Sequence, residues 1–218
     1  ESLEQGIPQE QQWIYAFFLS QVLSEQQQPQ VTLELLTNLE ALFPQSTYLL
    51  SAKALAHYSM RAYDAAETHF NQARERDPHR LEHLDVLSDI LFVKEARREL
   101  SHLAREASRI DKFRAETCVA IGNYYSLKRQ HERAVLYFRR ALRCNRQCLS
   151  AWILIGHEYL ELKNTGAAIE AYRRAVDVNP RDFRAWYGLG QTYEILQMFA
   201  YALHYYGKAA ALKPYDAR

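Results

Sequence analysis

The chain has 218 residues, of which 48% are hydrophobic and 24% charged, so it can bury a core. Its 7 glycines and 6 prolines are roughly half the usual combined share, which excludes collagen-like chains and disfavours turn-rich all-β folds. Lys and Arg number 27 against 26 Asp and Glu, which argues against a dedicated nucleic-acid binder, and no apolar run approaches the roughly eighteen residues of a membrane span.

The N-terminal segment differs in composition from the rest of the chain. Residues 1–12 contain Gly6, Pro8 and four glutamines, which predicts an extended lead-in or the end of a preceding repeat. Because the sequence starts with Glu1 and lacks a signal-peptide pattern, we expect a fragment or a processed chain. We also expect the intact protein to continue with further repeats, since a solenoid needs a polar cap.

From residue 13 onwards the sequence repeats with a period of 34 residues. The recurring columns are Pro44, Pro78, Pro180 and Pro214; Gly122, Gly156 and Gly190; Ala134, Ala168 and Ala202; and Phe70, Phe138, Tyr172 and Tyr206. This pattern resembles the tetratricopeptide signature, W-x2-L-G-x2-Y, A-x3-F and P. The predicted units are 13–46, 47–80, 81–114, 115–148, 149–182 and 183–216, of which the first three are degenerate.

The repeat predicts an all-α fold, a right-handed superhelical solenoid of about six tetratricopeptide helix pairs. Small residues such as Gly156 and Ala168 let the two helices of a unit approach closely, and no unit can bury its apolar face alone. Trp152 and Trp186 occupy one column, and we expect them to be buried between helices of consecutive repeats.

The first helix of each unit lines the concave groove in tetratricopeptide proteins, and by that resemblance six of its positions face inward. The polar side chains at these positions and the adjoining rim are Glu82, Asp85, Asp89, Glu116, Asn123, Ser126, Ser150, His157, Glu158 at the rim, Glu161, Arg184, Tyr187, Gln191 and Glu194. Carboxylates outnumber the single arginine, which favours a ligand segment that presents Arg or Lys. The alternative is that these carboxylates form a solvated helix face.

The remaining polar residues give no catalytic or metal-binding pattern. Arginines such as Arg139, Arg140 and Arg173 lie on second helices, where a solvated surface or a subunit contact is favoured over nucleic acid, because no RNA or DNA motif accompanies them. Three cysteines indicate a reducing compartment and ordinary helix packing, without zinc spacing. No nucleophile elbow, phosphate loop or metalloprotease motif is present, so we expect neither an enzyme nor a cofactor nor a metal site.

Four stretches carry a more specific resemblance, at residues 77–104, 110–142, 156–176 and 181–196. They resemble closely the family of cell-division-cycle subunits of the anaphase-promoting complex, or cyclosome, often counted as its eighth subunit. The resemblance covers about residues 47–218, and 13–46 less clearly. It implies a non-catalytic scaffold in a ubiquitin ligase that controls mitotic progression, in nucleus and cytoplasm, with other subunits of that complex as partners.

In that family the groove receives the Arg-containing C-box of the coactivators. The resemblance places the C-box arginine between Asn123 and Glu158, with further peptide contacts at His157, Glu116, Gln191 and Glu194. It also implies a homodimer of the full-length protein through N-terminal repeats missing from this sequence. From the balanced charge and the lack of a long apolar run, we expect no nucleic-acid partner and no membrane.

An independent tetratricopeptide adaptor, such as a chaperone cofactor or a module of a transport machinery, is the competing hypothesis. Chaperone-binding domains of this type use Lys and Asn in the inward columns to hold a terminal carboxylate, and this sequence mostly lacks them.

Overall fold

The computed structural model describes residues 12–26 and 28–213, and these residues form twelve α-helices and no strand. The helices are α1 Gln12–Glu25, α2 Pro29–Leu42, α3 Thr47–Ser59, α4 Tyr63–Arg76, α5 Leu84–Val93, α6 Arg97–Ile110, α7 Ala115–Leu127, α8 His131–Cys144, α9 Leu149–Glu161, α10 Thr165–Val178, α11 Phe183–Ile195 and α12 Phe199–Leu212. The predicted all-α fold is confirmed. Apart from Gln12, the predicted lead-in lies outside the described residues, as does Pro214.

Local chemistry sets several of the helix starts. The Asn164 side chain accepts a hydrogen bond from the backbone N–H of Ala167, 3.2 Å away, at the start of α10. The Asp182 side chain accepts one from the N–H of Arg184, at 2.9 Å, at the start of α11. Each bond satisfies a donor that the first turn of a helix would otherwise leave open.

The tight turns within the helix pairs share a backbone feature that also has a period of 34 residues. One residue in each of the five turns from α3–α4 to α11–α12 has a φ between 54° and 61°: Arg61, Glu95, Arg129, Lys163 and Gln197. This left-handed conformation costs an L-residue roughly 1–2 kcal/mol. None of the five is glycine, so sequence reading gave no signal for the turn.

We expect Lys163→Gly to raise the free energy of unfolding by up to about 1 kcal/mol, because glycine adopts a positive φ without a Cβ clash. Lys163→Ala keeps the clash and is the matched control. Urea unfolding of the two variants should separate them, and equal midpoints would contradict strain at this turn.

The chain divides into two compact units, Glu1–Ile90 and Leu91–Arg218. In the first unit, α1 packs on α2 and α3 on α4. Leu36, Leu39 and Leu49 form its buried cluster, and Phe17 and Phe43 pack against it from the side. The first repeats match the tetratricopeptide signature poorly, yet their helices still have apolar faces, and these contacts bury them.

In the second unit, helices pack pairwise as α7 on α8, α9 on α10 and α11 on α12, and α8 and α10 also contact the helix that follows. Each pair closes where a glycine of its first helix faces an aromatic ring of its second. A Cβ added to Gly122 would lie 2.4 Å from the Phe138 ring, and one added to Gly156 would lie 2.6 Å from Tyr172. The glycine column therefore gives the aromatic column its space.

The prediction for the tryptophan column is wrong, because Trp152 and Trp186 are only partly buried. Their indole N–H groups donate to backbone carbonyls in the preceding loop, Trp152 to Arg146 at 3.0 Å and Trp186 to Pro180 at 2.8 Å. A half-buried tryptophan can pack its ring against the core while its N–H bonds a loop carbonyl. Phe138 and Tyr172, not the tryptophans, fill the centre of the second unit.

Arg139 and Arg173 are exposed, in agreement with the predicted solvated surface, and they also link consecutive helix pairs. Arg139 Nε and Nη2 donate to Tyr159 Oη at 3.0 and 2.6 Å, and Arg173 Nη2 donates to Tyr193 Oη at 3.1 Å. The two pairs of residues are equivalent in the 34-residue register. They form a repeated polar link from a second helix to the next first helix.

None of the helices within the described ranges has the length and apolar character needed to cross a membrane.

Candidate functional site

The predicted groove residues of the second unit lie on its first helices, α7, α9 and α11. Glu158, near the C-terminal end of α9, is 5% exposed. Its Oε1 accepts from Ser126 Oγ of α7 at 2.6 Å, and its Oε2 lies 2.8 Å from His131 Nδ1 at the start of α8. Because an ionised carboxylate only accepts, Nδ1–H of His131 is the donor.

The interpretation of Glu158 as a rim residue is therefore wrong. Its carboxylate is buried and joins α9 to both helices of the preceding pair. A buried charge is stable only when it is paired and hydrogen-bonded, and Ser126 and His131 supply those bonds. A change at Glu158 should thus affect stability as well as any ligand.

Asn123 is also enclosed, with 1% of its surface exposed, on the same helix as Ser126. It lies among the buried residues of α7, beside Gly122, which faces the Phe138 ring. Asn123 and Glu158 therefore both belong to the interior of the second unit. The sequence placed them at a groove surface.

His157 is exposed, and its Nδ1 lies 2.9 Å from the hydroxyl of Tyr172 on α10. Burial raises the pKa of Tyr172, and the charge of Glu158 raises it further, so the hydroxyl keeps its proton. With Tyr172 donating to Nδ1, the neutral His157 ring carries its proton on Nε2. His157 can thus offer a ligand one N–H donor from a ring that a buried tyrosine holds in place.

The remaining predicted site residues are not gathered around Glu158 by any hydrogen bond that the structure shows. Glu116 is half-buried and accepts from Arg114 Nε at 3.2 Å. Glu194 is exposed and accepts from Tyr206 Oη at 2.6 Å, while Gln191 is half-buried. Glu116 and Glu194 thus each accept a hydrogen bond from within the chain, and Glu116 is also paired with a cation.

Sequence reading missed the part played by His131 and undervalued Ser126. The signal was present in the 34-residue register, where Glu158 stands in a column with Tyr124 and Thr192. A carboxylate in a column that otherwise holds no charged residue needs partners once it is buried. Candidates for those partners were the polar side chains at the end of the preceding first helix and in the following turn.

Among the described side chains, no group of three or more His, Cys, Asp or Glu could hold a metal ion. Cys118 is buried and Cys144 is exposed. Burial raises the pKa of the Cys118 thiol to about 11, and the neighbouring Cys144 raises it as well. Cys118 is therefore a protonated core thiol at neutral pH.

Family models for tetratricopeptide repeats match residues 115–148, 156–196 and 183–216. The crystal structure of MamA has a TM-score of 0.52 at 20% identity and covers 74% of this chain and 94% of its own, which shows a shared fold.

Two relatives named "Anaphase-promoting complex subunit 8" are much more similar in sequence. The one from Dictyostelium discoideum is 53% identical over 137 residues, which are 62% of this chain and 23% of that protein. The one from Arabidopsis thaliana is 50% identical over 140 residues, which are 64% and 24%. The chain spans about a quarter of the length of these relatives. It therefore carries tetratricopeptide repeats and is a homologue of the proteins named anaphase-promoting complex subunit 8.

Proposed function

We propose that this chain is the tetratricopeptide part of a non-catalytic scaffold subunit of the anaphase-promoting complex, acting in nucleus and cytoplasm in mitotic progression. The 53% and 50% identities to relatives named as subunit 8 of that complex support the proposal. Partners are neighbouring subunits of the complex and, for the whole protein, a second copy bound through N-terminal repeats. The fold supports a binding role, because stacked helix pairs present extended surfaces.

The finer part of the proposal is that the first helices of the second unit receive the arginine of a coactivator C-box, between Asn123 and Glu158. The buried Glu158 carboxylate supports it, since a carboxylate has about four acceptor sites and Ser126 and His131 occupy two of them. A planar guanidinium fork matches a carboxylate better than an ammonium does. The N–H donor of His157 cannot bond the guanidinium, which has no acceptor, but it can bond a backbone carbonyl of the peptide.

The enclosure of Glu158 defines what binding requires. The guanidinium must enter beside the Ser126 and His131 bonds or replace one of them, because the carboxylate is 5% exposed. Binding should therefore shift side chains of α7 and the start of α8. Desolvation of the pair makes each charge-assisted bond stronger than at a surface.

We expect Glu158→Gln to weaken binding of an Arg-containing C-box peptide by about tenfold or more, because the charge is lost from a desolvated pair. The variant should fold, since the glutamine amide keeps the volume, accepts from Ser126 and can donate to His131 Nδ1. Fluorescence titration of labelled peptide against wild type and variant measures the change. Thermal melts recorded in parallel show that the fold is retained.

Two controls make this test specific. The same peptide with its arginine replaced by lysine should bind more weakly to wild type and lose less on Glu158→Gln. Glu170→Gln, on an exposed carboxylate of α10 outside the predicted groove, should change affinity by less than about threefold, as expected for a screened surface charge. Equal affinities for wild type and Glu158→Gln would contradict the site while leaving the scaffold role untested by the titration.

The scaffold role has its own test, affinity purification of the full-length protein followed by mass spectrometry. We expect other subunits of the anaphase-promoting complex to be recovered. Recovery of chaperones or transport components in their place would support an independent adaptor and contradict the proposal.

A further inference from the structure

A second surface of the Leu91–Arg218 unit has features that neither the fold nor the proposed C-box site uses. On α8, Arg133, Leu136, Arg140 and Arg143 follow at spacings of three, four and three residues, which places them on one helix face. Leu136 is 62% exposed in the middle of this face. A single exposed leucine is ordinary on a protein surface, but one surrounded by arginines can contact a ligand that has both acidic and apolar groups.

The arginines of this face have no carboxylate partner among the described residues. Some arginines elsewhere in the described chain pair with acids close in sequence, as Arg114 does with Glu116 and Arg184 with Asp182. Arg133 instead donates to the Gln130 side chain at 3.0 Å, and no ion pair joins Arg140 or Arg143 to a described carboxylate. The face is therefore cationic in a chain with 27 basic and 26 acidic residues.

Aromatic rings hold two of these guanidinium groups in place. Arg140 lies over the Phe113 ring, 5.0 Å from its centroid, and Arg133 lies over Tyr125 at 5.7 Å. Phe113 itself is 60% exposed, in the loop before α7, and Lys112 lies over its ring at 5.0 Å. A guanidinium stacked on a ring loses less freedom on binding than a free side chain, which favours association.

We propose that Phe113, Arg133, Leu136, Arg140 and Arg143, here called the α8 surface, bind an acidic segment of a partner protein that carries an apolar side chain between its carboxylates. The segment is expected to be acidic because the surface is cationic. It is expected to carry an apolar side chain because Leu136 and Phe113 are exposed and can pack against one. A polynucleotide fits less well, because it would satisfy the arginines without covering Leu136. Glu132, exposed at the N-terminal end of the same face, repels a carboxylate there and places the segment toward Arg140 and Arg143.

The test is a fluorescence titration of the whole 218-residue chain with a labelled synthetic octapeptide of glutamates around one leucine and one phenylalanine. Saturable binding that weakens with added salt is expected. The double variant Arg140→Glu with Arg143→Glu should reduce affinity by about tenfold or more, and Leu136→Ser by about threefold or more. The double variant Arg98→Glu with Arg174→Glu makes the same change in net charge on α6 and α10 and should leave affinity unchanged.

Two further arms decide the class of partner. A peptide with serine in place of its leucine and phenylalanine should bind at least threefold more weakly, and a uridine decamer should bind more weakly than the apolar acidic peptide. Tighter binding of the decamer, equal affinities for the two peptides, no saturable binding, or equal loss in the Arg98 and Arg174 control would overturn the proposal. Binding of the Arg-containing C-box peptide should be unchanged by the α8 variants, which separates this site from the proposed groove.

Thermal melts accompany every variant. Leu136 and Arg143 are exposed, so Leu136→Ser and the single change Arg143→Gln should melt as wild type does. These two variants keep the test valid if the double charge reversal impairs folding.

Discussion

Phe138→Ala is expected to lower the free energy of unfolding of the Leu91–Arg218 unit by about 3–5 kcal/mol, the range for truncation of a buried aromatic side chain. Phe138 has no exposed surface and packs in the cluster that includes Cys118, Val119 and Ile155. Its ring also fills the space over Gly122. The truncation leaves a cavity where two helix pairs meet, so the loss includes contacts in both pairs.

Urea unfolding followed by far-UV circular dichroism measures this loss. Leu136→Ala, two residues away on the same helix and 62% exposed, is the matched control and should change stability by less than about 0.5 kcal/mol. Similar losses in the two variants would mean that α8 is rotated from the orientation described. Exchange of backbone amides should rise first in α7 to α10, because helix pairs depend on their neighbours.

Gly156→Ala is expected to destabilise the protein, although alanine favours a helix by about 1 kcal/mol over glycine. Its Cβ would lie 2.6 Å from the Tyr172 ring, and the same ring is within 2.4 Å of the position of a Cβ on Gly188. Because the ring is enclosed between two glycines of different helix pairs, it cannot move away from either. Overpacking of this kind costs about 1–3 kcal/mol, which exceeds the gain in helix propensity.

Gly207→Ala is expected to change the free energy of unfolding in the opposite direction in the same assay. Gly207 is a glycine inside α12, and a Cβ there would meet nothing within 4 Å. Its replacement should therefore stabilise the protein by up to about 1 kcal/mol. If both alanine variants shift the urea midpoint in the same direction, close packing against an aromatic ring is not the reason that glycine is required at these positions.

The 34-residue period was sufficient to predict helix content and helix order, and to mark Gly156 and Ala168 as small residues where two helices approach. Gly122 and Phe138, like Gly156 and Tyr172, recur in that register, but only the structure shows that each glycine faces the aromatic ring. The left-handed residues of the turns share that register, as Arg129 and Lys163 show, but their side chains carry no preference for positive φ. The left-handed conformation of the turn residues could therefore not be predicted from their residue types.

The sequence by itself determined the helical repeat, because the spacing of small, aromatic and proline residues acts through local helix geometry and through contacts between adjacent helices. Only the tertiary structure decided the environment of single polar side chains. Glu158 has the helix position of a groove residue, yet its burial depends on Ser126 and His131, 32 and 27 residues away, which approach it only when two helix pairs pack. The tryptophan column is half-buried for the same reason, because each indole N–H finds its acceptor in a neighbouring loop. Hydrogen-bond partners between repeats depend on the approach of whole helices, and no spacing along one helix encodes that approach.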